Sequence, residues 1–213
     1  PVTVALNYAA IERYPDLVQM CVDRDWELAA HGAYASQMLS SRMSEAEERH
    51  VIQSSIDGLS RVTGRAPRGW IGQDFGESAR TPSLLAEAGF DYVMDWPNDD
   101  QPYLMNLAHP LVSIPTQPAF DDVQALWLGG MPAHAFPATM MEALATLHRE
   151  GGRMLSLGIH PWVFGRAHAI RYLDETLASI NAHDGVWRCA LGEMASWCRA
   201  AMDHPSVAQR VGD

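Results

Sequence analysis

The sequence predicts an α/β protein built around a mainly parallel sheet, either open or closed. Short runs typical of β-strands alternate with helical patterns along the 213 residues. The apolar run over residues 154–159 is typical of a strand buried on both faces. The chain length and the lack of a glycine-rich phosphate-binding turn favour a barrel over a dinucleotide-binding fold. No repeat or linker divides the chain, so we expect one domain over residues 1–213.

The strands are predicted from short runs of apolar and β-branched residues that turn residues bound. They cover residues 2–6, 26–30, 68–71, 91–94, 111–114 and 154–159, with a further short strand over residues 186–189. Parallel neighbours need long crossover connections, which the helical patterns between these runs supply.

The helices are predicted from apolar residues at helical spacing together with start and stop signals. Ser44 and Glu47 form a capping box that starts one helix, and Gly64 ends it. Pro82 lies in the first turn of the next helix, and Gly89 ends that one. The predicted helices cover residues 11–22, 44–62, 81–89, 140–150 and 169–180, and a closing helix extends through residue 202.

The stretch from Trp96 to Met140 is largely irregular and rich in proline, aspartate, asparagine and glycine. Long segments of this kind usually build a substrate pocket or a contact between subunits. We therefore expect it to contribute to function rather than to the regular framework of the sheet.

The charge balance excludes several classes of function. The formal net charge is −11, and an acidic surface repels phosphate backbones, so we expect no nucleic-acid partner. All fifteen basic residues are arginine. Without a lysine the chain cannot form a Schiff base with a carbonyl substrate or use a phosphate-loop lysine.

The three cysteines indicate a reducing compartment, and we expect a cytoplasmic protein. Cys21, Cys189 and Cys198 are widely spread and form no Cys-x-x-Cys pair, which argues against a zinc ribbon. No run of ~18 apolar residues is present, so we expect no membrane partner. The first residues, Pro-Val-Thr-Val-Ala-Leu-Asn, do not resemble a signal peptide.

Polar side chains follow four predicted strand regions, where parallel barrels carry their active sites. His31 follows the second strand and Asp95 the fourth, with Trp96 next to it. The run from Arg65 to Trp70 leads into and through the third strand, and His160 closes the run 154–159. We expect these side chains to converge on one pocket for a small-molecule substrate.

These motifs together resemble those of the polysaccharide deacetylase family (NodB homology, carbohydrate esterase family 4). Arg65-x-Pro67-x-Gly69 is similar to the family's third motif, the stretch ending in Asp95-Trp96 to the fourth, and Leu157-x-x-His160 to the fifth. Further stretches, residues 84–90, 98–103, 156–161 and 183–187, are most similar to the branch that contains the metal-independent allantoinase and the cyclic-imide hydrolases. The resemblance covers nearly the whole chain, from about residue 2 to residue 197.

The resemblance implies a distorted seven-stranded β/α barrel and hydrolysis of a carbon–nitrogen bond outside a peptide, or of an N-acetyl amide. It implies that His160 is the general acid toward the leaving nitrogen and that Asp95 orients its imidazole. Arg65 would steady the catalytic aspartate. Trp96 would wall the substrate pocket, to which we also assign Trp70.

The metal site of the family is only partly represented. The family's second motif has two histidines four residues apart; His31 matches the first, but the second is Ala35. An alanine provides no ligand, so we expect no metal cofactor; zinc would need further ligands from outside this sequence. We therefore expect His31 to be a polar pocket residue, and a metal ligand only if zinc is bound.

The family's first motif, which supplies the catalytic base and a metal ligand, falls upstream of Val2 in this resemblance. We expect the first barrel strand to be absent from this sequence and further residues to precede Pro1. Asp121 and Asp122 imitate the missing motif in letters but lie in the irregular stretch. For Asp122 two readings stay open: contact with substrate, or a solvated loop carboxylate.

Three hypotheses of function follow. The first is a hydrolase of amide, cyclic imide or ureide bonds in a small, polar, nitrogen-rich substrate. The second is a zinc-dependent deacetylase of N-acetyl sugars. The third is a non-catalytic barrel that acts as a binding or assembly partner. Uncovered sheet edges also lead us to expect a homo-oligomer.

Overall fold

The computed structural model describes residues 1–202, which form two compact units. The sheet unit comprises residues 1–96, 102–114 and the described residues from 188 onward. The helical unit comprises Pro97–Gln101 and Pro115–Trp187. The single domain expected over residues 1–213 stays a prediction, and each unit is described by itself.

The sheet unit contains six strands, which confirms the predicted α/β class. The strand order is β1-β2-β3-β4-β6-β5. The strands β1, β2, β3, β4 and β6 run parallel to one another, and β5 runs antiparallel to β6. Among the described residues the sheet is open. Its strands are β1 Thr3–Leu6, β2 Glu27–Ala30, β3 Gly69–Trp70, β4 Tyr92–Val93, β5 Tyr103–Leu104 and β6 Val112–Ser113.

The α-helices follow the predicted order, with several changes at their ends. The predicted helix over residues 11–22 is two helices, because Pro15 lacks a backbone N–H and disfavours helical geometry at Tyr14. The helices are α1 Tyr8–Arg13, α2 Pro15–Asp23, α3 Glu45–Thr63, α4 Thr81–Glu87, α5 Phe136–Glu150, α6 Pro161–Phe164, α7 Ile170–Ala182 and α8 Leu191–Met202.

Helix α3 begins and ends where the sequence signals predict. The Ser44 side chain accepts from the Glu47 backbone N–H, and the Glu47 carboxylate accepts from the Ser44 backbone N–H. Gly64 ends the helix in the left-handed conformation, with φ of 72°. The capping box and the glycine thus fix the length of the longest helix.

The core of the sheet unit forms where α1–α4 pack on the strands. Trp70, Leu85 and Leu111 are fully buried there. Glu48 is also fully buried, but its carboxylate accepts from the side chains of Arg80, Ser78 and Thr81. These partners satisfy a buried charge and join α3 to the start of α4.

The helical unit has its own core between α5, α6 and α7. Phe136, Met140, Val163 and Phe164 are fully buried, and the rings of Phe136 and Phe164 meet edge to face at 4.9 Å. A π-helix, Val123–Leu128, precedes α5. Short 3₁₀ turns cover Pro118–Phe120 and Ala133–Ala135.

Two predicted strands are wrong. Residues 154–159 form no strand; Gly158 makes one isolated parallel bridge to Asp121, and most of the run is only partly buried. The Gln117 side chain takes the hydrogen bonds that a neighbouring strand would otherwise make. Its Nε2 donates to the Met154 carbonyl at 3.0 Å, and its Oε1 accepts from the Ser156 N–H at 2.6 Å. Residues 186–189 are also irregular.

In the described part of the chain, none of the helices combines the length and the apolar character that a membrane span requires.

Candidate active site

The carboxyl edge of the sheet carries several predicted site residues. His31 directly follows β2, and Asp95 lies two residues after β4. Asn7 follows β1, and Gly72 lies two residues after β3. The structure thus brings His31 and Asp95 to the edge at which parallel α/β proteins place their ligands.

His31 is held by the backbone on both sides. Its Nδ1 lies 2.5 Å from the Ile71 carbonyl oxygen, which can only accept, so Nδ1 carries the proton. The His31 carbonyl accepts from Asn7 Nδ2 at 2.6 Å. Gly32 has φ of 76°, which lets the chain turn away immediately after the histidine. These contacts make His31 a fixed, half-buried polar residue of the sheet edge.

Asp95 is the most buried of the predicted acidic residues in the sheet unit, with 1% of its surface exposed. Its Oδ1 accepts from the Gly72 N–H at 2.5 Å. The carboxyl group of Glu77, a residue that the sequence did not single out, interacts with it: Asp95 Oδ2 and Glu77 Oε1 are both buried and accept from no donor among the described residues, and each carboxyl group influences the pKa of the other. Two ionised carboxylates would repel each other in this buried position, and a shared proton would satisfy both oxygens.

Burial raises the pKa of both carboxyl groups in this acid pair. For Asp95 it raises the pKa well above its ordinary value, and the neighbouring Glu77 raises it further. For Glu77 the effect of burial is opposed by its interactions with Asp95 and Trp96, which lower the pKa. Both directions favour a pair that keeps one proton.

The two predicted pocket tryptophans of the sheet unit differ. Trp96 is 48% exposed, and its Nε1 donates to Glu77 Oε2 at 2.6 Å, so its ring is available as a pocket wall. Trp70 has no exposed surface and packs edge to face on Phe90 at 5.8 Å. The assignment of Trp70 to the substrate pocket is wrong, because a side chain enclosed in the core cannot contact a ligand.

Arg65 is not placed on an aspartate. It is exposed, and its backbone exchanges hydrogen bonds with the Thr63 hydroxyl. Among the residues that the structure describes, its guanidinium forms no ion pair. The nearby arginine that does so is Arg68, whose Nε donates to Asp91 Oδ2 at 2.7 Å. Among the described residues, Arg65 therefore makes no contact with an aspartate that would support the role expected for it.

The helical unit contains an acid–base pair, Asp122 and His160, joined by two hydrogen bonds. Asp122 Oδ1 lies 2.7 Å from His160 Nδ1, and Asp122 Oδ2 accepts from the His160 backbone N–H at 2.8 Å. The parallel bridge brings these residues together, because the Asp122 N–H donates to the Gly158 carbonyl at 2.9 Å. Both oxygens of one carboxylate are thus bound to one histidine.

This geometry corrects one expectation. Asp122 is fully buried, so it is not a solvated loop carboxylate, and its contact is with His160. Within the helical unit the carboxylate that contacts His160 Nδ1 is that of Asp122, and the orienting role that the resemblance implies for Asp95 stays a prediction. The sequence Phe-Asp-Asp over residues 120–122 pointed to Asp122 as a candidate. The sequence pattern alone could not show that its partner lies 38 residues away.

Two carboxyl groups lie next to the His160 imidazole. A carboxylate that accepts from Nδ1 fixes the tautomer and stabilises the imidazolium. Asp121 Oδ2 lies 3.9 Å from the same Nδ1 and adds negative potential. Burial raises the pKa of Asp121, while the Gln124 backbone N–H that bonds its Oδ1 lowers it. The His160 side chain is 43% exposed, so the ring is accessible from solvent.

The metal site of the deacetylase family is only partly represented. His31 matches one ligand position, but the methyl group of Ala35 stands where a second imidazole is needed. Among the described residues, Asp121, Asp122 and His160 are the one group with three ligand atoms within 4.8 Å of one another, and these side chains could hold a cation. In that group Asp122 Oδ1 contacts His160 Nδ1, and Asp122 Oδ2 accepts from the His160 backbone N–H.

Comparison with known proteins places this geometry in context. The family model described as "Polysaccharide deacetylase" matches residues 1–93. A peptidoglycan deacetylase of Helicobacter pylori is 23% identical over 220 residues, covering 87% of this chain and 74% of that protein.

Solved structures extend the likeness to most of the chain. A putative polysaccharide deacetylase from Mycobacterium smegmatis superposes with a TM-score of 0.85 at 26% identity, covering 95% of this chain and 73% of that one. The structure of Puue allantoinase gives the same TM-score and identity, with coverage of 95% and 69%. These matches confirm the predicted fold class, a distorted α/β barrel of the NodB type.

Proposed function

We propose that the chain is a member of the polysaccharide deacetylase family and that it hydrolyses a carbon–nitrogen bond outside a peptide in a small polar substrate. The bond is that of an amide, a cyclic imide or a ureide. The 26% identity to an allantoinase over 95% of this chain supports this substrate class. The acidic net charge of −11 disfavours strongly anionic polymers as substrates.

The hydrogen-bonded pair of His160 and Asp122 carries this proposal. When water adds to the carbonyl carbon and the carbon–nitrogen bond breaks, the departing nitrogen needs a proton. His160 supplies it from Nε2, because Nδ1 is engaged by Asp122 at 2.7 Å. Asp122 stabilises the charged imidazolium before transfer, and its bond to the His160 backbone N–H keeps the carboxylate in position.

The attacking water needs a base as well as an acid. By resemblance, this is the aspartate of the family's first motif. In the sheet unit, the exposed ring of Trp96 provides an apolar pocket wall, and Glu77 holds it through the indole N–H. His31 offers a fixed polar group at the same sheet edge.

Deacetylation of an N-acetyl sugar is the second candidate, because the curated relative is a peptidoglycan deacetylase. The same acid would serve, since an amide nitrogen also leaves there. This reaction uses zinc in the family, and of the two histidines in the family's second motif this chain has only His31. We therefore rank the first candidate higher.

The test is turnover by the purified protein of allantoin, succinimide and an N-acetylglucosamine oligomer, with and without added zinc. We expect ring opening of allantoin or succinimide without added zinc. His160→Asn keeps a donor near Nδ1 for Asp122 but removes Nε2, and we expect kcat to fall by about 10²–10⁴. The matched control is His50→Gln, which changes an exposed histidine on α3 and should leave activity intact.

Three results would contradict the proposal. Release of acetate alone, dependent on zinc, would favour the second candidate. Turnover of none of the three compounds would favour a non-catalytic binding or assembly role. Full activity of the His160→Asn variant would show that His160 is not the general acid.

We further propose that the protein works in the reducing cytoplasm as a homo-oligomer. Cys21, Cys189 and Cys198 are all free thiols, and burial raises the pKa of each, that of Cys189 to about 11. Such thiols are poor nucleophiles and are structural rather than catalytic. Light scattering of the purified protein measures the oligomeric state, and a monomer would contradict that part of the proposal.

A further inference from the structure

A second concave site lies in the helical unit, apart from the His160–Asp122 pair. It is a cleft of about 490 Å³ between the segment after the π-helix and the start of α7. None of its lining residues belongs to the proposed proton-transfer pair. The cleft is lined by Leu126, Met131, Pro132, Ala133, His134, Arg166, His168, Arg171 and Tyr172.

The charge of this lining is opposite to that of the protein. The chain carries 26 acidic and 15 basic residues, yet the cleft contains two arginines, two histidines and no carboxylate. Within residues 1–202, neither Arg166 nor Arg171 forms an ion pair. Arg49, Arg68 and Arg80 each lie against a carboxylate, whereas Arg65, like the two cleft arginines, has no ion pair among the described residues. Two unpaired guanidinium groups that share one concavity repel each other unless an anion lies between them.

Both guanidinium groups are held in place before any ligand binds. Arg166 Nε donates to the Val163 carbonyl at 2.8 Å, which leaves its two terminal nitrogens for a ligand. The Arg171 guanidinium lies over the Tyr172 ring at 4.5 Å and donates to the Tyr172 hydroxyl. The His134 ring packs against the same tyrosine at 6.3 Å. Little side-chain entropy remains to be lost on binding.

We infer that this cleft binds a small organic anion whose carboxylate or phosphate group lies between Arg166 and Arg171. Planar guanidinium groups bind both kinds of oxyanion through paired hydrogen bonds. Leu126, Met131 and Pro132 form an apolar wall for the rest of the ligand. The cleft is also larger than an inorganic phosphate needs. The inference goes beyond the proposed hydrolysis and does not depend on it.

The test is calorimetric titration of the full chain with inorganic phosphate, phenyl phosphate and benzoate. We expect saturable binding of one organic anion per chain. Comparison of phenyl phosphate with benzoate shows whether the cleft prefers a phosphate or a carboxylate group. Arg166→Gln and Arg171→Gln, which keep the polar head but remove the charge, should each weaken binding at least about tenfold. Arg149→Gln, an exposed arginine on α5, is the control and should bind normally. Absence of saturable binding, or equal weakening in the control, would overturn the inference.

A second measurement uses only the unaltered protein, in case the variants do not fold. Phenylglyoxal modifies exposed arginines, and peptide mass spectrometry locates each adduct. We expect phenyl phosphate or benzoate to protect Arg166 and Arg171 while Arg149 reacts as before. Equal modification of all three with and without the anion would overturn the inference.

Discussion

Two histidines, His31 in the sheet unit and His160 in the helical unit, differ in what holds Nδ1. A backbone carbonyl holds His31 at 2.5 Å, and a fully buried carboxylate holds His160 at 2.7 Å. Both contacts fix the tautomer, but only the carboxylate brings a full negative charge that stabilises the protonated ring. Hydrogen bonds to charged groups contribute about 1.5–3 kcal/mol, against about 1 kcal/mol for neutral pairs. The comparison supports the proposal that His160, rather than His31, transfers the proton.

Asp122→Asn should have the largest effect on this comparison. The asparagine fills the same space but brings no charge, so the His160 environment becomes like that of His31. We expect kcat on the substrate found above to fall by about 10²–10⁴, with the free energy of unfolding lowered by about 1–3 kcal/mol. Steady-state kinetics and urea unfolding measure the two effects. If kcat were unchanged in a folded variant, the charge of Asp122 would have no catalytic role.

Glu77→Gln should have an intermediate effect, and it acts on pH dependence. The folded-state pKa of Asp95 is raised, so the folded protein holds a proton that the unfolded chain releases, and stability falls as the pH rises above about 4. Removing the glutamate lowers the pKa of Asp95, because the hydrogen bond that raises it loses its charged acceptor. If the pKa of Asp95 falls by one unit, the stability lost between low and high pH becomes smaller by about 1.4 kcal/mol.

The free energy of unfolding, measured from pH 4.5 to pH 8 in urea, tests this expectation. The curve of Glu77→Gln should be flatter than that of the unaltered protein. Glu175→Gln, which changes an exposed glutamate on α7, is the control and should not alter the slope. Parallel curves for all three proteins would mean that no proton is shared between Asp95 and Glu77.

His31→Asn should have the smallest effect. The asparagine amide can donate to the Ile71 carbonyl as Nδ1 does, so we expect kcat/KM within about threefold and stability within about 1 kcal/mol of the unaltered protein. The same kinetic and unfolding measurements apply. A loss as large as that in Asp122→Asn would make His31 a catalytic residue or a metal ligand and would remove the distinction between the two histidines.

The sheet was predictable because its signals are local. Each parallel strand from β1 to β4 lies within a short apolar run, and Ser44 with Glu47 fixes the start of α3 from four adjacent residues. The run 154–159 has the same composition as a buried strand, but pairing depends on what lies beside it. There the Gln117 side chain takes the place of a strand, and no periodicity within the run could indicate that.

The site was predictable in part, for the same reason. His160 and Asp95 follow apolar runs, so they could be selected from the sequence. Their partners could not: Asp122 is 38 residues from His160, and Glu77 lies in a loop without regular pattern. Residue type and strand position identify candidate acids and bases, whereas the assignment of partners requires tertiary contacts.

The clamp that Gln117 places on residues 154–156 has a consequence for motion. The run leading to His160 is held by this amide group, by the Met154 N–H that donates to the Asp100 carbonyl and by the hydrogen bonds of Gly158, rather than by a continuous ladder. Loss of these few hydrogen bonds would open the run, whereas a strand within a sheet opens only with its neighbours. Deuterium should therefore enter the Ser156 amide through local fluctuations, long before it enters the Ala29 amide within β2. The proposed acid is carried on a segment that moves independently of global unfolding.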